Sequence, residues 1–482
     1  MTEPPWLPPE ERRGTWSTVH VVVIGLGASG FAAADALAYV GAAVTVLDDG
    51  SGPLQRERAR VLDVLGVSVR LAWSGDLPQG TDLVVVSPGV PPTHRLVQHA
   101  GAAGVPLWSG EQLAWRLRPR GQQWLTVTGT NGKTTTVEML GAMLQAAGLR
   151  SAVAGNVGRP LVEAATAEPG YEVLAVELSS FQLHFTAGLR AHSSALLNVA
   201  DDHLDWHGSA PAYLADKARI FQGTVHSVVY NVQDVATERL AREADVGEGC
   251  RGIGFTLGVP DVGMVGVVDD VIVDRAFLAD RAERALELAT VADVRPPGRH
   301  NVANALAAAA LARSFGVPAD SVRAGLVGFR PPGHRLHEVA VVGGVTYVDD
   351  SKATNADAAS VALETYDRVV WIAGGLAKGG RFDALVARHA QRLQGAVLLG
   401  RDRRVLAEAM TRQAPAVPLI EVGDGETDPM ERAVRAAAGL ARPGDVVLLA
   451  PACASMDQFA DYAARGDAFA SAVRHLAAED AS

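Results

Sequence analysis

Short runs of apolar residues recur along this chain, and most end in glycine, proline or an acid. Near the start they cover 19–24, 43–47 and 82–86; the next cover 124–128, 172–176 and 195–199. Runs of this length between turn residues read as buried strands. A stretch rich in Val and Gly over 225–275 reads as further β-structure, and later runs cover 346–348, 368–372, 396–399 and 446–449. An Ala-rich segment over 301–315 carries its apolar face at Val302, Leu306, Ala309 and Ala310, which is helical spacing. Strands that alternate with helices imply parallel sheets, so the fold class is α/β.

A chain of 482 residues has room for about three domains. Residues 1–17 read as a disordered leader, 18–118 as a Rossmann-like domain, and 119–328 as a P-loop ATPase-type parallel-sheet domain with a β-rich part. Residues 329–482 read as a second Rossmann-like domain, entered through the linker Phe329-Arg330-Pro331-Pro332-Gly333. The net charge of −11 leaves no basic footprint for nucleic acid. No apolar run approaches the roughly 18 residues of a membrane span, and the start lacks the apolar core of a signal peptide. Cys250 and Cys453 make no disulfide framework. The expectation is a soluble cytoplasmic protein.

Only four of the 43 basic residues are lysine: Lys133, Lys217, Lys352 and Lys378. Each sits in a glycine-rich or polar motif. Arginine serves elsewhere as the solvated cation, which leaves lysine where a compact point charge or a reactive amine is needed.

The strongest motif is Gly129-Thr130-Asn131-Gly132-Lys133-Thr134-Thr135, set between a strand and a helix start. Backbone N–H groups of such a turn cradle phosphate oxygens; Lys133 would reach the outer phosphates and Thr134 a Mg²⁺. The strict Walker pattern fails, because Val127 stands where it needs glycine. Two further strands end in Glu177 and in Asp201-Asp202-His203. Sites in open α/β sheets form outside the carboxyl ends of strands, so all three motifs can share one crevice suited to Mg²⁺.

Ser209 and Pro211 read as the start of a helix that places Tyr213, Leu214, Lys217 and Phe221 on one stripe. Spacing alone favours a lysine that snorkels to solvent. The alternative is a desolvated, neutral amine able to add CO₂ and become a carbamate.

The first domain carries Gly25-Leu26-Gly27-Ala28-Ser29-Gly30 after a strand, with Asp48 further on. This fits a dinucleotide fingerprint, and equally another nucleotide diphosphate. The last domain holds Asp349-Asp350-Ser351-Lys352-Ala353-Thr354-Asn355, Gly374-Gly375-Leu376-Ala377-Lys378 and Ala450-Pro451-Ala452-Cys453-Ala454-Ser455, each past a strand. Lysines and hydroxyls at one sheet edge suit a small anionic substrate. Cys453 has no nearby histidine in sequence and reads as an inert small residue.

Together these motifs resemble those of the Mur ligase family of cell-wall peptide synthetases. Further shared features are Glu177-Leu-Ser-Ser-Phe-Gln-Leu, Asn198-Val-Ala-Asp-Asp-His-Leu-Asp, Gly298-Arg-His-Asn-Val-Ala-Asn, His334-Arg335 and Pro451-Ala-Cys-Ala-Ser-Met-Asp-Gln-Phe. The last is most similar to the branch that adds D-glutamate. The resemblance runs from about residue 19 to the end.

It implies an ATP-dependent ligase of peptidoglycan precursor synthesis, acting as a monomer on UDP-N-acetylmuramoyl-L-alanine and D-glutamate through an acyl phosphate. By resemblance, Gly129 to Thr135 would bind the ATP phosphates. Asn301, Asn304, Arg335 and Asp350 would contact the nucleotide. Thr134 and Glu177 would bind one Mg²⁺, and His203 with carbamylated Lys217 a second. Lys352, Thr354, Lys378 and Ser455 would hold D-glutamate. Ser29, Asp48 and Gly89 would hold the UDP part, and Asn156 would position the other end of that substrate. One departure is Asp49-Gly50, where the best-known form has Thr-Arg. The rivals are a sister ligase such as folylpolyglutamate synthetase, an NAD-dependent dehydrogenase, and a non-catalytic nucleotide-binding module.

Overall fold

The structure is a computed structural model that describes residues 16–200, 202–330, 333–423 and 428–480. It divides into two compact units, one ending at Phe329 and the other beginning at Arg330.

The first unit contains two sheets. Strands β1 (His20–Ile24), β2 (Ala43–Asp48), β3 (Ser68–Leu71), β4 (Leu83–Val86) and β5 (Leu107–Ser109) form an all-parallel sheet in the order β3-β2-β1-β4-β5. Its inner strands are buried on both faces, as their unbroken runs of Val and Ile require.

The second sheet has β6 (Gln123–Thr128), β7 (Ser151–Gly155), β8 (Val173–Glu177), β9 (Ser193–Leu196), β10 (Ser227–Asn231), β11 (Arg251–Phe255), β12 (Met264–Val268), β13 (Val271–Asp274) and β14 (Leu286–Thr290). Their order is β14-β13-β12-β11-β10-β9-β6-β8-β7, parallel except for the meander β12-β13-β14. The helix Arg299–Ser314 packs its alanines and leucines on this sheet. The first and second sheets share one core, in which Trp115 meets Trp124 edge to face at 4.9 Å.

The second unit has β15 (His337–Val342), β16 (Val345–Asp349), β17 (Val369–Gly374), β18 (Leu393–Leu399), β19 (Leu419–Glu421) and β20 (Val446–Leu449). Their order is β15-β16-β20-β17-β18-β19, with only β15 antiparallel. The α/β class with three sheets is therefore as expected.

Four details differ from expectation. The proposed leader extends to residue 17, yet Trp16 is 5% exposed and sits in the core in a short turn, Trp16–Thr18; residues 1–15 lie outside the described residues. The strand expected at 195–199 stops at Leu196 and begins two residues earlier, because Ser193 and Ser194 are buried with their hydroxyls hydrogen-bonded to other side chains. The stretch 225–275 contains a helix, Val235–Glu243, capped by Asp234. Pro331 and Pro332 of the expected linker lie outside the described residues.

Candidate active site

The loop after β6 brings the first candidate residues together. Gly132 has φ +84 and caps the helix Lys133–Ala146. A side chain there would collide with the Asn304 amide, so both the backbone angle and the close approach demand glycine. Asn301 and Asn304 occupy the first turns of the helix Arg299–Ser314, and Asn304 Nδ2 donates to Asn301 Oδ1 at 3.3 Å. The loop is fixed from its other side by Asn198: its Oδ1 accepts from Asn131 N at 2.8 Å, and its Nδ2 donates to Asn131 O at 3.0 Å. Thr130 Oγ1 lies 3.0 Å from the Tyr213 hydroxyl.

Lys217 enters the same loop from the helix Ala210–Ala218, capped by Ser209 as its sequence predicts. It is 1% exposed and does not snorkel; Nζ donates to Gly129 O at 2.7 Å. Lys133 Nζ donates to the same carbonyl and to Thr130 O, each at 2.9 Å. Burial pushes the Lys217 amine well below the ordinary lysine range, and the Lys133 charge adds to the effect; Asp202 and Glu177 oppose it.

Glu177 closes β8 and is 1% exposed. Its Oε1 accepts from Asn156 Nδ2 at 2.7 Å, while its buried Oε2 has no hydrogen-bond partner among the described residues. An unpaired buried carboxylate oxygen is costly unless a cation completes it. Asn156 thus braces the acid, a contact the sequence did not suggest. His203 sits at φ +53 beside Asp202, whose Oδ2 lies 3.5 Å from His203 Nε2. Such angles in a non-glycine residue are uncommon and collect at functional sites.

Sequence reasoning missed a hub beside these residues. Asp216 Oδ2 accepts from His184 Nδ1 at 2.8 Å and from His207 Nδ1 at 2.9 Å, and Oδ1 accepts from Arg219 Nε at 3.2 Å. His207 Nε2 meets Ser180 Oγ at 3.0 Å. His184 ends the short helix after Glu177, His207 ends the one after His203, and Asp216 precedes Lys217. Phe181 packs against His203 at 4.7 Å and stacks on His207 at 5.6 Å. The three residues have the side chains of a metal site. Their contacts, however, are hydrogen-bond lengths, shorter than the roughly 3.3 Å that separates two ligands of one tetrahedral ion. The group is a brace that ties together the three segments bearing Glu177, His203 and Lys217. Adjacency of Asp216 to Lys217 was its only trace in the sequence.

In the first sheet, the loops after β1, β2 and β4 adjoin. Gly25 has φ +92, and side chains at Gly25 or Gly30 would strike neighbouring backbone or Ser87. Ser29 lies in the first turn of the helix Ala28–Tyr39, and Gly89 is exposed beyond β4. Asp48 Oδ2 accepts from Leu26 N at 2.6 Å, and Oδ1 accepts from Gly50 N at 2.7 Å. Its carboxylate therefore shapes both loops. Asp49, at the departure noted above, pairs with His94 at 2.8 Å and reaches Arg95 at 3.4 Å.

In the second unit, Lys352, Thr354, Lys378 and Ser455 follow the adjacent strands β16, β17 and β20. Lys352 Nζ lies 3.8 Å over the Tyr462 ring, and Lys378 sits at φ +46. Asp350 accepts from Leu336 N at 3.2 Å; burial pushes its carboxyl up to about 7, against the pull of Arg335. Burial also pushes the Cys453 thiol up to about 12, so it is an inert residue.

Three α/β sheets, with a Gly-Lys-Thr loop at the carboxyl edge of the central one, define a multidomain nucleotide-binding α/β protein. Comparison with known proteins narrows the class. The Mur ligase MurD-like N-terminal domain matches residues 19–109, the Mur ligase middle domain 127–312, and the Mur ligase glutamate ligase domain 334–453. The chain is 58% identical to the UDP-N-acetylmuramoylalanine–D-glutamate ligase of Streptomyces avermitilis, over 96% of this chain and 99% of that one. It is 53% identical to the enzyme of that name from Thermobifida fusca, over 95% and 98%. The chain belongs to the Mur ligase family. Among solved structures, UDP-N-acetylmuramate-alanine ligase MurC from Thermotoga maritima shares the fold, with a TM-score of 0.56 and 18% identity over 95% of this chain and 99% of that one. E. coli FolC in complex with DHPP and ADP aligns with a TM-score of 0.51 and 19% identity over 77% and 92%.

Proposed function

We propose that this protein is an ATP-dependent ligase that joins D-glutamate to UDP-N-acetylmuramoyl-L-alanine in peptidoglycan precursor synthesis. The observation that carries the reading is the buried Lys217 amine, which meets the Gly129–Thr135 loop at Gly129 O and feels the charge of Glu177, whose second oxygen is unpaired among the described residues. The names of the relatives supply the two substrates.

Residues 18–118 would hold the UDP part through Ser29, Asp48 and Gly89, with Asn156 toward its other end. Residues 119–328 would hold ATP, and 329–482 the amino acid. Lys133 and the loop N–H groups would draw charge from the outer phosphates, and Asn301 and Asn304 would hold the rest of the nucleotide. Thr134 and Glu177 would offer oxygens to one Mg²⁺, and His203 and a Lys217 carbamate would offer ligands to a second. When bound, Mg²⁺ neutralises phosphate charge and orients the transfer.

In the reaction, the substrate carboxylate takes the γ-phosphoryl group and ADP leaves. The amine of D-glutamate attacks the acyl carbon, phosphate leaves, and a proton is released. Lys352, Thr354, Lys378 and Ser455 would hold the amino-acid carboxylates.

Phosphate release from ATP, Mg²⁺ and UDP-N-acetylmuramoyl-L-alanine tests the assignment, with D-glutamate, L-glutamate, L-alanine and L-lysine offered in parallel. Release with D-glutamate alone is expected. Release with another amino acid instead moves the protein to a sister ligase, and none with any sinks the reading.

A further inference from the structure

The second unit contains a buried cation that the proposed chemistry leaves unused. Arg465 lies in the first turn of the helix Tyr462–Asp480 and is 2% exposed. It makes no ion pair among the described residues. Instead Nε donates to Ser351 Oγ at 3.0 Å, Nη2 to Ser351 O at 2.8 Å, and Nη1 to Cys453 O at 3.1 Å and Gly374 O at 3.5 Å. These acceptors lie just beyond or at the ends of β16, β20 and β17, which are neighbours in the sheet. Ser351 precedes Lys352, Gly374 opens the loop to Lys378, and Cys453 stands two residues before Ser455.

Backbone bonds staple the same loops to one another. Ala452 N donates to Ala353 O at 2.9 Å, and Leu376 and Ala454 exchange N–H···O bonds of 2.9 and 3.0 Å. The helix that delivers Arg465 sits flush on its neighbours: a side chain at Gly466 would collide with His334 and with Asp349. Its first residue grips the Ser351 loop a second time, since Tyr462 O accepts from Ser351 Oγ at 2.8 Å and its ring lies under Lys352.

A planar guanidinium holds several acceptors in one geometry, which a lysine ammonium does not reproduce. Its direct contacts are all neutral acceptors, while the Asp457 and Asp349 carboxylates nearby help keep it charged. Burial pulls the group down to about 10, so it stays cationic at neutral pH.

We propose that Arg465 is the positioning residue of the amino-acid site: it sets the spacing of the loops bearing Lys352, Lys378 and Ser455. This rests on the assignment of those loops to D-glutamate above.

The test compares Arg465→Lys and Arg465→Met with the wild type in steady-state turnover, melting temperature and amide hydrogen exchange. The KM for D-glutamate should rise on the order of 10-fold or more, the scale of small misplacements of binding groups, while the KM for ATP stays within twofold. Exchange should quicken at 351–355, 374–380 and 451–455. A merely structural role would lower the melting temperature and leave the KM for D-glutamate alone; that result overturns the proposal. If Arg465→Met does not fold, the charge-retaining Arg465→Lys carries the test. If the wild type itself does not use D-glutamate, the ligase reading fails separately. Hydrogen exchange then decides: unchanged exchange at the three loops in Arg465→Lys overturns the positioning role.

Discussion

Lys133 and Lys217 share one acceptor: their Nζ atoms lie 2.9 and 2.7 Å from Gly129 O. Two ammonium groups on one carbonyl repel, and Lys217 is the buried one, so it is the one pushed toward the neutral amine. A neutral amine adds CO₂ to give a carbamate and a proton. On Lys217 that step would turn repulsion from Lys133 into attraction and would add an anionic oxygen ligand.

Lys217→Arg should therefore keep the fold and lose turnover by about 10²-fold or more, the scale of removing a preorganised charged contact. A guanidinium cannot carry the carbamate. Near-normal activity in the folded variant, or wild-type activity indifferent to removal and return of bicarbonate, would end the carbamate reading.

Gly132→Ala puts a methyl group against the Asn304 amide at a backbone angle of +84°. The left-handed angle alone costs roughly 1–2 kcal/mol. A lower melting temperature and weaker ATP binding are expected together. Calorimetry showing unaltered ATP affinity would mean that this loop does not cradle the nucleotide.

Asp216→Ala removes the acceptor shared by His184 and His207. Neither histidine is among the proposed Mg²⁺ ligands, but they tie together the segments that bear Glu177, His203 and Lys217, and loss of outer support for metal ligands typically costs about 10–100-fold. The expected signature is a lower kcat with more Mg²⁺ needed for half-maximal rate, partly restored by Asp216→Asn. A Mg²⁺ titration that superimposes on wild type would show that the brace does not reach the ion.

His192 and His226 stack just before the adjacent strands β9 and β10, with ring centroids 4.8 Å apart. Burial, with the neighbouring His226 charge, pushes His192 down to about 4 from an ordinary 6.5. The unfolded chain then binds more protons than the folded one between those values, so stability falls as pH drops from about 6.5 to 4. His192→Gln should flatten that part of the pH profile in urea unfolding. An unchanged slope would place the acid sensitivity elsewhere.

The strands legible in the sequence follow a physical rule. Each of the three sheets has two edge strands, and β3, β5, β7, β14, β15 and β19 are the six that the apolar pattern did not reveal. Inner strands of a parallel sheet are covered on both faces and must be apolar throughout; β4 reads Leu-Val-Val-Val. Edge strands such as β3, Ser-Val-Arg-Leu, are half-exposed and carry no such run.

The same division holds for the site. The sequence by itself determined the glycine-rich turn Gly129–Thr135, the acid closing β8 and the helix that carries Lys217, because turn glycines, helix caps and strand ends are local chemistry. Only the tertiary structure decided which atoms those residues meet. Lys217 finds Gly129 O 88 residues away, Gln182 reaches Glu111 71 residues away, and Arg465 grips Ser351 across 114. Contacts across such separations follow from how sheets and helices pack, and no periodicity within a window of residues encodes them.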